Sequence, residues 1–138
     1  MSELIRFGVS IEATLLKKFD RHIQERAYAT RSEAIRDLIR NELVQRGWEE
    51  NTDDSVGTIT LIYNHHVREL TNVLTDIQHK YNANVISSMH VHLDEHNCLE
   101  VLAVAGKPQI LREIADRLIS TKGVKHGRLV TTTSGKDV

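Results

Sequence analysis

Hydrophobic and polar residues alternate strictly near the start of the chain, over residues 5–11 (IRFGVSI). This pattern is typical of a strand with one buried face, and its polar side carries Arg6, Gly8 and Ser10. Apolar residues then recur with helical spacing up to about residue 26. A second helical pattern opens at Thr30, which has the spacing of a capping box with Glu33, and ends at Gly47. Residues 1–47 are therefore predicted to form a strand followed by two helices.

The rest of the chain predicts a second, mixed unit. Residues 48–55 are polar and acidic and are interpreted as a linker to a domain at 56–138. In that domain the periodicity predicts strands at 56–63, 85–93, 98–105 and 125–132, and helices at about 66–80 and at 108–121. The order βαββαβ predicts a ferredoxin-like domain, a four-stranded antiparallel sheet with both helices on one face. The fold class is therefore α+β.

The hairpin predicted at 85–105 concentrates side chains that bind metals. A three-residue loop at 94–96 would pair His92 with Cys98 and His90 with Glu100, with opposed Cβ atoms about 4.5–5.5 Å apart. Two imidazoles and one thiolate suit nickel, copper, cobalt or zinc, and do not suit magnesium or calcium. Glu100 could accept a hydrogen bond from a ligand imidazole. Alternatively, the histidines form an ordinary solvated face and Cys98 is a small buried residue.

We expect these ligands on the open face of the sheet, because the other face of the first hairpin strand offers an apolar row for the core. That row consists of Met89, Val91 and Leu93. The open face would also carry Ile86, Leu102 and Val104. This is too much apolar surface to leave in water, so another subunit should cover it. Metal site and subunit interface would then coincide.

A fourth ligand is available in His79, at the end of the helix predicted at about 66–80. Two residues beyond the core position Ile77 is roughly 200° around a helix, so His79 should point away from its own core. If His79 binds metal, it should do so in another subunit.

Composition narrows the function classes. The 138 residues are 40 % hydrophobic and 27 % charged with a net charge of -1, as in a globular protein, and charge alone gives no hint of a nucleic-acid partner. A single cysteine excludes an intrachain disulfide and favours a reducing compartment. Without a signal peptide or a membrane-length apolar run, we expect a cytoplasmic protein with no membrane partner.

The N-terminal strand has no neighbour in its own unit, so we expect two copies to pair antiparallel in a dimer. The doubled row of Arg6, Gly8 and Ser10 would then form a two-stranded ribbon, which fits the major groove of DNA. Arg31 and Ser32, at the start of the second helix, would contact phosphates. The alternative is a dimerisation module with a solvated face.

The segment TRSEAIRDLIRNEL resembles the second helix of ribbon-helix-helix repressors. One departure is Gly8, which leaves only Arg6 and Ser10 with side chains for base contacts. Over nearly its whole length the chain resembles the nickel-responsive transcriptional regulators, which join a ribbon-helix-helix domain to an ACT-like domain. The matching residues are Gln78-His79, His90-Val91-His92 and Cys98-Leu99-Glu100.

This resemblance implies a nickel-dependent repressor of nickel uptake that binds operator DNA as a homotetramer, a dimer of dimers. It also implies one Ni(II) per subunit in square-planar geometry, held by His90, His92 and Cys98 of one chain and His79 of a neighbour. No catalytic activity and no small organic substrate are expected.

The resemblance also implies a second ion site, with a hard or alkali cation on Glu33 and Asp37. Backbone carbonyls near three further residues would complete it, namely Ile119, Thr121 and Val124. Alternatively, Glu33 is only the capping-box acceptor and Asp37 is a solvated charge. Arg68 resembles a family contact to the DNA backbone, although Val67 replaces the usual basic neighbour.

Three other functions remain open from the residues. The regulator could respond to cobalt, copper or zinc, or to an amino acid, although the turn at 64–66 lacks the glycine that amino-acid binding favours. A metalloenzyme would need an open coordination position and a general base; His65, His66 and His126 could form a further metal site. An antitoxin-like DNA-binding protein would leave the hairpin unused.

Overall fold

The computed structural model describes residues 3–51, 53–136 and 138. Its elements in chain order are α1 (Ala13–Glu25), α2 (Arg31–Glu50), β1 (Ser55–Asn64), α3 (Leu70–Lys80), β2 (Val85–His92), β3 (Asn97–Gly106), α4 (Pro108–Ile119) and β4 (Val124–Thr132). They belong to two compact units, Met1–Asn41 and Glu42–Val138. None of the helices in these described ranges has the length and apolarity that crossing a membrane requires.

In the first unit the buried side chains are Ile23 of α1 and Ala34 near the start of α2. The chain turns between the helices at Ala27, whose φ of 60° is left-handed. Thr30 caps α2, because its Oγ1 accepts a 3.1 Å hydrogen bond from the backbone N–H of Glu33. This hydrogen bond confirms the N-cap half of the predicted capping box.

Residues 3–12 form no strand within the single chain, and the apolar side chains of Ile5, Phe7 and Val9 are exposed. A strand is defined by its ladder of hydrogen bonds to a neighbour, and the strand predicted at 5–11 was expected to find that neighbour in a second copy of the chain, so it stays a prediction. Leu38 and Ile39 of α2 are also exposed. The first unit thus leaves an apolar surface that a second copy of the chain could cover.

The predicted end of the second helix at Gly47 is wrong, because α2 continues to Glu50. Trp48 is only 2 % exposed, and its Nε1 donates a 2.9 Å hydrogen bond to the carbonyl of Thr132. Arg112 donates to the carbonyl of Trp48. Burying an indole gains roughly 4–6 kcal/mol, whereas a glycine inside a helix costs about 1 kcal/mol. Packing therefore carries the helix past Gly47.

The second unit has the predicted βαββαβ order, and its antiparallel sheet has the strand order β2-β3-β1-β4. Two helix boundaries differ from the prediction. α3 begins at Leu70 instead of residue 66, because the preceding residues form turns that end in a left-handed Glu69, with φ 64°. α4 ends at Ile119 instead of Thr121.

The side of the sheet that faces the core is the reverse of the prediction. α3 and α4 cover the face that carries Cys98, Glu100, Leu102 and Val104, all of them buried. The row expected to cover the core is exposed instead, and it consists of Met89, Val91 and Leu93. Both faces of β3 are apolar, so alternation alone did not distinguish its inner row from its outer row. The open face is still apolar, as predicted, but it does not carry Leu102 or Val104.

Candidate functional site

The predicted hairpin register is confirmed. His92 pairs with Cys98 and His90 with Glu100 across β2 and β3. The turn between them is held by Asp94, whose Oδ1 accepts hydrogen bonds from the backbone N–H groups of His96 (2.9 Å) and Asn97 (2.8 Å). Such an Asx turn fixes the loop length, and the loop length fixes which residues face each other.

The hydrogen bonds from the side chain and backbone of Asn97 and from the backbone of His96 lower the pKa of Asp94 to about 2. The carboxylate is therefore the form that stabilises the turn. Its contribution is complete above the ordinary pKa of 3.8 and is lost as the pH falls through about 2. We predict that Asp94→Asn is less stable than the wild type at neutral pH and loses less stability between about pH 4 and 2, measured by urea denaturation across that range.

The matched control is Glu95→Gln, which removes a carboxylate of the same turn that takes no part in these hydrogen bonds. The stability of Glu95→Gln should depend on pH between about pH 4 and 2 in the same way as that of the wild type. An Asp94→Asn protein with that same dependence would contradict the prediction.

Cys98 and His90 lie beside each other at the end of the hairpin. The sulfur of Cys98 is 4.0 Å from Nδ1 of His90. Cys98 is 2 % exposed, while the side chain of His90 is 47 % exposed. Two metal bonds of about 2.0–2.3 Å can together span roughly 4.3 Å, so one ion could bridge these two atoms.

Glu100 is 1 % exposed and sits at the centre of a hydrogen-bond network. Its Oε1 accepts from the hydroxyl of Tyr63 (2.9 Å), and its Oε2 accepts from Nε2 of Gln78 (2.9 Å). Nε2 of His90 is 3.2 Å from the same Oε2. A buried carboxylate needs such partners, and here three of them converge on it.

This network orients the ring of His90. With its proton on Nε2 the imidazole donates to Glu100, and Nδ1 then carries a lone pair that faces the sulfur of Cys98. The hydroxyl of Tyr63 is 3.4 Å from the same Nδ1. Burial, and then the nearby carboxylate of Glu100, raise the pKa of Tyr63 above its ordinary value, so the hydroxyl stays a donor at neutral pH. No pattern in the sequence predicted that Tyr63 belongs to this site, although the β1–β3 register pairs Tyr63 with Cys98.

A group of histidines lies next to His92. The rings of His65 and His92 are 5.1 Å apart, and those of His65 and His66 are 4.1 Å apart. Burial, and then the neighbouring imidazoles, lower the pKa of His65. His65 and His66 were expected to group with His126 in a further metal site, whereas their rings lie next to those of His92 and His96.

His79 lies in the last turn of α3 and is exposed, as predicted. The preceding residue, Gln78, turns inward to Glu100. Within the described residues of one chain, no three His, Cys, Asp or Glu side chains come close enough together to hold a metal ion.

The predicted DNA-contacting residues are exposed, but their surroundings differ. Arg6, Gly8 and Ser10 lie in the N-terminal segment without internal strand partners, and Ser32 is in the first turn of α2. Arg31, predicted to reach a phosphate, makes a two-pronged ion pair with Asp20. Arg68 lies in the turn before α3, so its predicted position inside that helix is wrong.

Glu33 and Asp37 share a surface cleft of about 360 Å³ with Tyr28, Arg36 and Arg40. Asp37 accepts a 2.7 Å hydrogen bond from the hydroxyl of Tyr28 and lies 3.7 Å from Arg40. Two arginines beside these carboxylates oppose a cation electrostatically. The second ion site stays a prediction.

Comparison with known proteins agrees with this architecture. Residues 2–46 match the family model described as ribbon-helix-helix protein, copG family, and residues 56–132 match the model described as NikR C terminal nickel binding domain. A protein of Geobacter sulfurreducens is 57 % identical over 138 residues, which is all of this chain and 99 % of the relative. One of Geotalea uraniireducens is 56 % identical over 138 residues, again all of this chain and 99 % of the relative. Both are named "Putative nickel-responsive regulator".

A solved structure of an uncharacterized protein from Thermotoga maritima superimposes with a TM-score of 0.53 at 10 % identity. The match covers 59 % of this chain and 100 % of that one. At this identity the similarity concerns the fold alone.

These matches and the histidine–cysteine hairpin define a class of transcriptional regulators in which a ribbon-helix-helix domain precedes a nickel-binding domain. Members of this class are regulators and not enzymes. The chain belongs to the family of nickel-responsive regulators. Family membership implies nickel binding, DNA binding and oligomerisation.

Proposed function

We propose that this protein is a nickel-dependent repressor that binds operator DNA through a β-ribbon, built from residues 5–11 of two chains, and that it controls nickel uptake in the cytoplasm. The observation that carries the proposal is the arrangement at His90. Glu100 holds Nε2 of the imidazole, so Nδ1 faces the sulfur of Cys98. A ligand imidazole oriented by a carboxylate is the usual arrangement at a protein metal site.

The proposed ligands are His90, His92 and Cys98 of one chain and His79 of a neighbouring chain, with one nickel ion per subunit. A thiolate with imidazoles is a donor set that suits nickel among the first-row metals. Gln78 turns toward Glu100 of its own chain, whereas the adjacent His79 is exposed on the same helix. The imidazole of His79 is therefore available to a neighbouring chain.

The proposed assembly is a homotetramer, a dimer of dimers. Two apolar surfaces of the single chain support it. The first is the N-terminal surface formed by Ile5, Phe7, Val9, Leu38 and Ile39. The second is the open face of the sheet, with Met89, Val91, Leu93 and Val130 exposed. Patches of this kind on a monomer are typical of subunit interfaces.

Regulation follows from the place of α3 in this scheme. Gln78 ties the end of α3 to the Glu100 network, and the adjacent His79 serves the neighbouring chain. Ligation across the interface would therefore favour one arrangement of subunits over others. An effector shifts such an equilibrium only by its different affinity for the two arrangements, so nickel must bind the DNA-competent one more tightly.

The test is DNA binding with and without nickel. An operator is first selected from a random-sequence duplex library with nickel-loaded protein, and its affinity is then measured by fluorescence anisotropy. We predict that stripping nickel with a chelator weakens binding about 5- to 150-fold, the usual range for allosteric coupling. Equal affinity in both states would overturn the proposal.

Two further arms make the result specific. Cobalt, copper and zinc are titrated in place of nickel, and an equal effect of zinc would show a different effector. Arg6→Ala should weaken specific binding by about 1–3 kcal/mol if the ribbon makes the base contacts. An unchanged affinity would move the DNA-contacting surface elsewhere.

A further inference from the structure

Asp20 of α1 makes a two-pronged ion pair with Arg31, the first residue of α2. Oδ1 of Asp20 accepts from Nε of Arg31 and Oδ2 accepts from Nη2, both at 2.8 Å. Both residues belong to the unit Met1–Asn41. Arg31 lowers the pKa of Asp20, so the pair stays ionised throughout the neutral range.

The ion pair uses only one edge of the guanidinium. Arginine has five N–H donors, and two of them go to Asp20. The side chain of Arg31 remains 58 % exposed, so its outer edge faces solvent at the start of α2. Planar guanidinium groups bind phosphate with that same edge geometry.

We propose that Asp20 is a positioning residue for DNA binding, which holds the guanidinium of Arg31 so that its outer N–H donors meet a DNA phosphate. The proposal rests on the predicted phosphate contact of Arg31 and adds the residue that presents it. Neither a match to the family nor the sequence pattern assigns a role to Asp20.

Asp20 has two opposing effects on DNA affinity, and their relative sizes decide whether it strengthens or weakens binding. Holding the long side chain of Arg31 in place before DNA binds improves affinity by about two- to tenfold, because its conformational freedom is then not lost on binding. Repulsion between the carboxylate and a phosphate on the far side of the guanidinium acts through water and salt and costs less than about twofold. The net effect of Asp20 is therefore to strengthen DNA binding, although it adds negative charge.

The experiment compares D20N with E25Q in the full-length, nickel-loaded protein. The probe is a fluorescein-labelled 30-base-pair duplex of random sequence at fixed salt. Glu25 pairs with Arg21 on the surface of the same helix, so E25Q makes the same change in net charge without touching Arg31. We expect D20N to bind about two- to tenfold more weakly than E25Q, because E25Q matches the charge change and leaves the effect of immobilising Arg31. Equal affinity of the two variants would overturn the proposal.

A second comparison separates the positioning of Arg31 from general damage to the first unit. Lysine cannot form the two-pronged pair, so in an R31K background the further change D20N should alter affinity by less than about twofold. The same loss in both backgrounds would show a structural effect and would overturn the proposal. If the wild type does not bind DNA at all, the proposed function itself is wrong. If the wild type binds DNA and D20N binds equally well, only the role of Asp20 is wrong.

Discussion

Replacing Cys98 by alanine should abolish the near-ultraviolet thiolate-to-nickel absorption band and lower nickel affinity by more than about 100-fold. Cys98 is the chain's one cysteine, so no other residue can supply a thiolate. Loss of a residue that only orients a ligand typically costs 10- to 100-fold, and loss of the ligand itself should cost at least as much. Absorption spectroscopy during a nickel titration, with a competing chelator, gives both quantities.

The matched control is Met89→Leu, which removes sulfur from the opposite face of the same hairpin. Met89 pairs with Val101, and its side chain is exposed on the open face. Its replacement should leave the band and the affinity unchanged. If Cys98→Ala kept the absorption band, the thiol would not be a ligand, and the proposed donor set would be wrong.

Glu100→Ala should reduce the free energy of unfolding of the second unit by about 3–5 kcal/mol, the cost of breaking a buried charged network. The carboxylate is 1 % exposed, and its removal leaves Tyr63, Gln78 and His90 without their acceptor. Because His90 also loses the partner that orients its ring, nickel affinity should fall about 10- to 100-fold. Urea denaturation of the metal-free protein and nickel titration of the folded protein measure the two effects separately.

Glu113→Gln is the matched control for Glu100→Ala, because it also removes a carboxylate that accepts a hydrogen bond from a tyrosine hydroxyl. Glu113 accepts from Tyr81 at 3.0 Å on the surface, where such a bond contributes little. That variant should stay within about 0.5 kcal/mol of the wild type. A Glu100→Ala protein as stable as Glu113→Gln would show that the network contributes nothing to folding.

The sequence was sufficient to predict the register of the hairpin at its loop end. The polar run 94–97 sits between two apolar stretches, and the Asx turn at Asp94 produces the register that brings His92 opposite Cys98. Local chemistry determines loop length, and loop length determines pairing, so both could be derived without knowledge of the rest of the fold.

The side of the sheet that faces the core was not predictable in the same way. Both rows of β3 are apolar, and the inner row contains Glu100, which by its charge alone belongs in water. Its burial depends on Tyr63 from β1 and Gln78 from α3, which are distant in sequence. The continuation of α2 past Gly47 is a similar case, because it depends on Trp48 meeting the carbonyl of Thr132.

The ion pair between Asp20 and Arg31 was also not predictable from the hydrophobic periodicity of the sequence. The two residues are eleven positions apart, on different helices, and each alone looks like an ordinary surface charge. The two helices are joined by a turn in which the backbone of Ala27 is left-handed.

Because Cys98 and Glu100 share the inner row of β3 with Leu102 and Val104, the proposed metal site and the packing of this domain would be built from the same layer of side chains. An engineer who wished to retune the metal preference could not exchange the sulfur or the carboxylate without also reshaping the interior. The exposed imidazoles of His79 and His92 are the positions where new donor atoms could be introduced while the scaffold stays intact.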